Sequence, residues 1–238
     1  MPATQEPTLH TDNRILSALP PADLARIKPH LEHVRLAHNK TLYTSGDVVQ
    51  HVYFPSSGMV SLVAVTADGA ATEVGMVGDE GMVGLPAVLR NNVSPYDVTV
   101  QLAGAALRMR GERLRAEFDA GGRIQDLLLR YMHALLTQIS QSAVCNRFHT
   151  VEERLCRWLL ISSDRSHMST LYLTQEFLAQ MIGAPRTSVT MTARSLQRAG
   201  LIRYNRGKIQ ILDERAMRDA ACECYNVIAD EMRHLYVA

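Results

Sequence analysis

The sequence has 238 residues, of which 47% are hydrophobic, and a formal net charge of +1. This length suffices for one large or two ordinary domains, and the apolar content predicts sizeable cores and excludes a disordered chain. Residues 1–14 lack the apolar run of a signal peptide, and no stretch of about 18 apolar residues could cross a bilayer. We therefore expect a cytoplasmic protein with no membrane partner.

The spacing of the four cysteines does not indicate a metal site or a disulfide. They are Cys145, Cys156, Cys222 and Cys224, and none belongs to a C-x-x-C pair. Cys222 and Cys224 are two residues apart on a predicted helix, so their side chains should diverge. We expect reduced thiols and no bound metal, with a redox or cluster role as the alternative.

The first half of the chain changes from helical to strand periodicity. Asn13 is placed to cap a short helix, and a second short helix is predicted to begin at Asp23. Short apolar segments separated by glycine-containing turns then follow, at residues 42–44, 49–54, 59–65, 71–77, 98–102 and 105–109. Many short strands at this spacing predict an antiparallel sandwich or roll.

Residues 123–147 form the longest predicted helix. Its apolar residues recur every three or four positions and cover a wide part of its circumference: Ile124, Leu127, Leu128, Tyr131, Met132, Leu135, Leu136, Ile139 and Ala143. Such a helix has two surfaces to bury. We expect one to pack on the roll and the other, including Leu135, to pair with a second subunit. The alternative is a single core face within one chain.

The segment after this helix predicts three helices, a β-hairpin and a last helix. Thr150 and Glu153 form a capping-box pattern, and Thr174 is a suitable cap for a later helix. A glycine-containing turn at Gly183 and Pro185 leads into a further helix that Gly200 should end. Two strands joined by a basic turn follow at residues 201–212, and a final single helix is predicted from Asp213 to the chain end.

This arrangement is typical of a winged helix-turn-helix, whose second helix enters the DNA major groove. Residues 174–212 contain six basic residues and one acidic residue, Glu176. The concentration of charge in one segment of a nearly neutral chain indicates DNA binding. The alternative is an ordinary helical hairpin beside a β-hairpin without a nucleic-acid partner.

The whole pattern resembles the CRP/FNR family, which includes the cyclic-AMP receptor protein and the fumarate-nitrate reduction regulator. The residues that carry the resemblance are Gly46-Asp47, Val52-Tyr53-Phe54, Ser57-Gly58, Gly78-Asp79, Gly81-Met82-Val83-Gly84 and residues 173–202. It implies an α+β fold with an N-terminal antiparallel β-roll like a cyclic-nucleotide-binding domain. It also implies a homodimeric transcription regulator with double-stranded DNA and RNA polymerase as partners.

The resemblance divides the chain into three parts. The sensor domain covers residues 14–146 and includes the dimerisation helix, 123–147. The winged helix-turn-helix covers residues 147–220, and the C-terminal helix covers residues 213–238.

The resemblance also assigns DNA-contacting positions. Arg186 matches the residue that reads guanine, which an arginine does through two hydrogen bonds. Thr187 replaces the family's cytosine-reading acid, and Met191 replaces its second base-reading arginine, so the half-site should differ from that of the cyclic-AMP receptor protein. Thr174 and Ser188 match phosphate-holding positions. The full candidate set is Thr174, Arg186, Thr187, Ser188, Thr190, Met191, Arg194 and Lys208.

The effector pocket departs from the cyclic-nucleotide pattern. Its candidate residues are Gly81, Met82, Val83, Gly84, Ser94 and Tyr131. Cyclic-nucleotide binders carry a glutamate for the ribose where this chain has Met82, and an Arg-Ser pair for the phosphate that the stretch around Ser94 lacks. We therefore expect that cyclic AMP binding has been lost and that the effector is another, unidentified molecule.

Other functional classes remain as alternatives. The family's iron–sulfur regulators use an N-terminal cysteine cluster, and no cysteine precedes Cys145. A roll could also be a cupin-type metalloenzyme, but the sequence has no His-x-His, and no nucleophile elbow, P-loop or dinucleotide motif. We expect no catalytic residues and no cofactor. Two alternative functions stay open: a cyclic-nucleotide-dependent regulator, and a constitutive DNA binder whose roll only supports dimerisation.

Overall fold

The computed structural model describes residues 12–236. Most of the segment examined above for a signal peptide, residues 1–11, therefore lies outside the described residues. None of the helices in the described part is both long and apolar enough to cross a membrane.

The N-terminal half is an antiparallel roll. Its strands are β1 (Glu32–Leu36), β2 (Thr41–Tyr43), β3 (His51–Val65), β4 (Ala71–Val77) and β5 (Asp97–Arg110). They pair in the order β1-β5-β3-β4, and β2 adds to β5. Short helices α1 (Arg14–Ser17) and α2 (Pro21–Ile27) precede the sheet. Helix α2 begins at Pro21 and not at Asp23, because a proline without an N–H fits the first helical turn.

The roll has fewer and longer strands than the sequence predicts. Segments 49–54 and 59–65 belong to the single strand β3, and segments 98–102 and 105–109 belong to β5. Bulges in the pairing of β3 with β5 replace the turn predicted between segments 49–54 and 59–65. A Cβ on Gly58 would lie 2.5 Å from the carbonyl oxygen of Leu102, and one on Gly104 would lie 2.1 Å from that of Ser57. The two glycines let the strands cross closely and continue.

Helix α3 (Gly111–Asp119) leads into α4 (Arg123–Phe148), the predicted long helix. The residues of α4 that pack into the roll's core are Ile124, Leu127, Leu128, Tyr131, Ala134 and Leu135. The assignment of Leu135 to the subunit seam is therefore wrong, because this side chain is buried within its own chain. Leu129 and Leu136, one heptad apart, stay 51% and 63% exposed.

The C-terminal half contains the predicted helix-turn-helix and wing. Its elements are α5 (Val151–Ser166), β6 (Thr170–Tyr172), α6 (Gln175–Met181), α7 (Arg186–Arg198), β7 (Ile202–Asn205) and β8 (Lys208–Ile211). The capping box of Thr150 and Glu153 starts α5 as predicted. Strand β6 pairs with β8 and was not predicted, because three residues with one buried side chain give too short a pattern.

The predicted C-terminal helix is two helices, α8 (Glu214–Ala220) and α9 (Cys224–His234). Asp213 caps α8 as expected, but the backbone of Ala221 is extended, with ψ 155°, and ends that helix. After the break, α9 packs along α4. Its Met232, together with Leu235, joins the core of the roll.

Candidate DNA-binding surface and sensor cavity

The helix-turn-helix is held by its caps and by the buried side of its second helix. Thr174 Oγ1 accepts a hydrogen bond of 3.1 Å from the backbone of Phe177 and so caps α6. Gly183 adopts φ +58° in the turn, where a side chain would be strained. On α7, Val189, Ala193 and Leu196 are buried. The opposite side of α7 therefore faces outward.

Four of the candidate DNA-contacting residues lie exposed on this outward side: Arg186, Thr187, Met191 and Arg194. Met191 is 71% exposed, which is unusual for a large apolar side chain unless a partner covers it. Arg186 lies 3.3 Å from the Glu176 carboxylate, and both side chains are exposed. Such a pair is weak in water, so Arg186 remains available to another partner.

Two of the candidate positions are partly occupied by contacts within the protein. Thr190 Oγ1 lies 2.7 Å from Gln175 Oε1 and 2.9 Å from the carbonyl oxygen of Arg186. The hydroxyl can donate its single proton to either oxygen, so Thr190 is engaged within the protein and contacts α6. Ser188 is half-buried at the start of α7. These two residues are better placed to position the helix than to read a base edge.

The wing extends the basic surface. Its turn is formed by Arg206 and Gly207, both at positive φ. Lys208 is exposed, and its ammonium lies 5.9 Å from the centre of the exposed Tyr172 ring. A shallow depression joins the wing to the helix-turn-helix, and Thr174, Gln175, Arg186, Tyr204, Arg206 and Gly207 line it. The structure therefore brings Thr174 and Arg186 together with the wing.

Sequence reasoning missed three residues of this surface: Tyr172, Gln175 and Tyr204. Tyr172 lies on the unpredicted strand β6, so its position beside Lys208 depends on the pairing of β6 with β8. The side chain of Gln175 contacts Thr190, and Tyr204 donates its hydroxyl to the carbonyl of Leu173. The sequence carries no local signal for Tyr172, because the basic turn at Arg206 and Gly207 lies far from it along the chain.

The candidate effector pocket is nearly filled by protein. A cavity of about 50 Å³ lies inside the roll, and Met82, Val83, Gly84 and Ser94 are among its lining residues. Pockets that hold small-molecule ligands usually measure about 300–1,000 Å³. No charged side chain of the described residues lines this cavity. Ser94 donates its hydroxyl to the carbonyl of Tyr96, 2.7 Å away.

Gly81 and Tyr131 do not line the cavity, contrary to the prediction. A Cβ on Gly81 would lie 2.5 Å from the Tyr131 ring, so the glycine permits close packing there. The Tyr131 hydroxyl donates a hydrogen bond of 2.9 Å to the carbonyl of Met82. Tyr131 therefore links the Gly81–Gly84 turn to α4 through this hydrogen bond, without lining the cavity.

Two family models match the halves of the chain. The cyclic nucleotide-binding domain matches residues 33–120, and the Crp-like helix-turn-helix domain matches residues 153–220. The chain belongs to the CRP/FNR family of transcription regulators. The predicted family and fold class are thereby confirmed. Membership also makes it a DNA-binding transcription regulator with a cyclic-nucleotide-binding-type domain.

Known proteins resemble this chain over most of its length. A CRP-like cAMP-activated global transcriptional regulator of Mycobacterium tuberculosis is 24% identical over 214 residues, which cover 87% of this chain and 96% of that protein. FixK2 from Bradyrhizobium japonicum superimposes with a TM-score of 0.69 at 13% identity, over 81% of this chain and 98% of its own. The c-di-GMP-responsive regulator CLP of Xanthomonas campestris superimposes with a TM-score of 0.67 at 20% identity. The match covers 81% of this chain and 99% of that chain.

In this CRP/FNR protein, a buried ion pair joins the roll to the DNA-binding half. Arg165 Nε on α5 lies 3.1 Å from Glu80 Oε1 in the roll, and both side chains are 5% exposed. Arg165 also donates to the carbonyl of Met76 and to the side chain of Gln138 on α4. One side chain therefore connects the roll, the long helix and the first helix of the DNA-binding half.

A second buried contact across the same junction involves Glu73. Its carboxylate accepts hydrogen bonds of 2.6 Å from Ser61 and 2.8 Å from the indole N–H of Trp158 on α5. Burial disfavours the ionised form and raises the pKa of Glu73 to about 7, although these hydrogen bonds oppose the shift. The protein therefore holds Glu73 largely protonated below neutral pH.

This raised pKa predicts a pH-dependent stability. Since the folded pKa lies above the ordinary value of 4.5, the stabilisation is complete below that value and is lost as pH rises through about 7. Between pH 4.5 and 8 the loss should reach about 3 kcal/mol. Glu73→Gln should remove this part of the pH dependence in urea unfolding. The exposed Glu214→Gln is the control, and equal pH profiles for wild type and Glu73→Gln would contradict the assignment.

Proposed function

We propose that the chain is a homodimeric, sequence-specific DNA-binding regulator, not an enzyme, whose roll does not bind cyclic AMP. The observation that carries the DNA-binding role is the outward side of α7, where Arg186, Thr187, Met191 and Arg194 are exposed beside a basic wing. In this proposal residues 14–146 are the sensor domain and residues 147–220 the DNA-binding domain. RNA polymerase is the second macromolecular partner that the family resemblance implies.

Base recognition in this proposal depends on the first turns of α7. Arg186 is placed to read guanine through O6 and N7, and Met191 offers an apolar surface for a thymine methyl group. Thr187 has no carboxylate with which to accept a hydrogen bond from cytosine. Arg194 and Lys208 are exposed cations suited to phosphates, which position a protein without selecting a sequence.

Replacing Arg186 by Ala should cost about 1–3 kcal/mol of binding free energy at one base pair and relax the preference there. Competition binding with each substitution of the selected half-site measures this. Lys208→Ala is the matched control, since a lost phosphate contact weakens all sequences alike and lowers the salt slope by about 1. If Arg186→Ala weakened specific and non-specific DNA equally, Arg186 would be a phosphate contact.

Dimerisation is supported by an apolar row along α4 whose members are either exposed or lie at the edge of the roll's core. Leu129, Met132, Leu136, Ile139 and Ala143 follow one another at alternating spacings of three and four residues. This is the spacing of a coiled-coil seam. Leu129, Leu136 and Ala143 are exposed in the single chain, and the other two are half-buried. A second copy of α4 is the partner that this seam fits.

Loss of cyclic AMP binding is supported by the size and lining of the roll's cavity. At about 50 Å³, with no charged side chain among the described lining residues, it offers the ribose no carboxylate and the phosphate no cation. A cyclic phosphate buried without such partners would lose its charge-assisted hydrogen bonds. The cAMP-activated relative in Mycobacterium tuberculosis makes a cyclic-nucleotide-dependent regulator the second candidate function.

Selection of bound sequences from a random DNA pool, with and without cyclic AMP, tests both parts of the proposal. We expect a two-fold-symmetric motif that forms equally well in the two conditions. A motif that appears only with cyclic AMP would establish the second candidate. A single half-site without symmetry would contradict the dimer, and no selected motif would contradict sequence-specific binding.

A further inference from the structure

Three cysteines and one histidine meet where the long helix ends. Cys145 lies in the last turn of α4 and His149 caps that helix, while Cys222 lies in the break between α8 and α9 and Cys224 begins α9. One ligand-type atom from each of the four lies within 4.8 Å of all the others. The sulfurs of Cys145 and Cys222 are 3.5 Å apart, and the sulfur of Cys224 is 3.6 Å from His149 Nδ1.

The break in the C-terminal helix creates this convergence. On a continuous helix, Cys222 and Cys224 would point in different directions, as the sequence predicted. Because α8 ends before Cys222 and α9 begins at Cys224, both thiols turn toward Cys145. The prediction that these two side chains diverge is therefore wrong, and the prediction of no bound metal has to be reconsidered.

Ordinary core packing does not account for the three cysteines. All three are buried, yet they form a cluster of their own, separate from the two large apolar cores. Cys156, by contrast, packs inside the core of the DNA-binding half. Three thiols and an imidazole packed on one another are the donor set of a soft metal site.

The surroundings supply the orientation and charge that such a site requires. His149 directs Nδ1 toward the thiols, and its Nε2 lies 3.3 Å from the Glu223 carboxylate. A carboxylate behind a ligating histidine is the usual second partner that fixes the imidazole. Arg157 is buried, and its Nε has no hydrogen-bond partner among residues 12–236. Zn²⁺ with three thiolates carries one negative charge, which Arg157 would balance.

We propose that Cys145, His149, Cys222 and Cys224 bind one Zn²⁺ ion in a tetrahedral site. Zn–S bonds of about 2.3 Å and Zn–N bonds of about 2.0–2.1 Å place tetrahedral ligand atoms about 3.5–3.8 Å apart. The separations of 3.5 and 3.6 Å match this spacing. An iron–sulfur cluster would spread its ligands farther, since more than one iron lies between them.

The position of the site gives the ion a mechanical role. His149 lies immediately before Thr150, where α4 passes into α5, and Cys145 lies in the last turn of α4. Cys222 and Cys224 belong to the segment that carries α9 back to the roll. A bound ion therefore links the junction between the sensor and DNA-binding halves to the C-terminal helices. Removal of the ion should destabilise both halves and the C-terminal helices together.

Metal analysis of the full chain, purified with reductant and without chelator, tests the proposal. We expect one zinc per chain in the wild type and in the control Cys156→Ser, and a large loss of zinc in Cys145→Ser and Cys224→Ser. Chelation should lower the wild-type Tm and leave the Tm of Cys145→Ser unchanged.

A cobalt titration keeps the test decisive if the cysteine variants fail to fold. Metal-stripped wild type should bind one Co²⁺ per chain and show thiolate-to-cobalt charge transfer with the intense visible bands of a tetrahedral site. Absence of these bands would overturn the proposal. So would iron with sulfide in the purified protein, a Cys145–Cys222 disulfide under reducing conditions, or undiminished zinc in folded Cys145→Ser and Cys224→Ser.

Discussion

Arg165→Met should lower the free energy of unfolding by about 3–5 kcal/mol, because it leaves the Glu80 carboxylate buried without its cation. The ion pair is 3.1 Å long and almost fully enclosed. The same change removes the hydrogen bonds to the carbonyl of Met76 and the side chain of Gln138. Within residues 12–236, the backbone N–H of Gly78 would be the hydrogen-bond donor left to the Glu80 carboxylate.

Urea unfolding at neutral pH measures this loss. The control is Arg233→Met, because Arg233 pairs with Asp230 on the surface and such pairs contribute about 0–1 kcal/mol. The double variant Arg165→Met with Glu80→Gln should recover part of the loss, since no unpaired buried charge remains. A cost for Arg165→Met no larger than that for Arg233→Met would show that the pair does not hold the junction.

Leu136→Glu should convert the proposed dimer into a folded monomer. In the single chain this side chain is solvent-exposed, so the charge costs little there. In a paired helix seam, each copy would bury one glutamate charge, and this would cost several kcal/mol of dimerisation free energy. Sedimentation velocity measures the mass, and circular dichroism shows that the fold is retained.

Two further variants make the dimer test specific. Val48→Glu replaces an exposed valine that does not belong to α4 and should leave the mass unchanged. Leu135→Glu should instead destabilise the chain itself, because Leu135 packs into the core of the roll. A dimeric Leu136→Glu variant would show that this side of α4 is not the seam.

The elements that the sequence predicted best are those specified by neighbouring residues. Thr150, Thr174 and Asp213 each cap a helix within three residues, and Gly200 ends α7 by adopting positive φ. Such local signals need no knowledge of the rest of the fold. These signals fix where α7 begins and ends. Once the buried positions of this helix are known, its exposed positions can be predicted as well.

The features that the sequence did not predict depend on distant parts of the chain. Glu80 and Arg165 are 85 positions apart, and nothing near either residue indicates the other. The continuity of β3 and β5 depends on two glycines meeting across the sheet. The convergence of Cys222 and Cys224 on Cys145 required the break in the last helix, which has no proline or glycine to mark it.

The last helix also determines when this protein can finish folding during synthesis. Met232 and Leu235 complete the core of a roll built from the first half of the chain, and the Tyr236 hydroxyl donates to the carbonyl of Glu80. The strands of the roll therefore leave the ribosome long before Met232 and Leu235, the residues that complete its core. Until α9 emerges, the nascent roll exposes apolar surface, the kind of intermediate that chaperones protect.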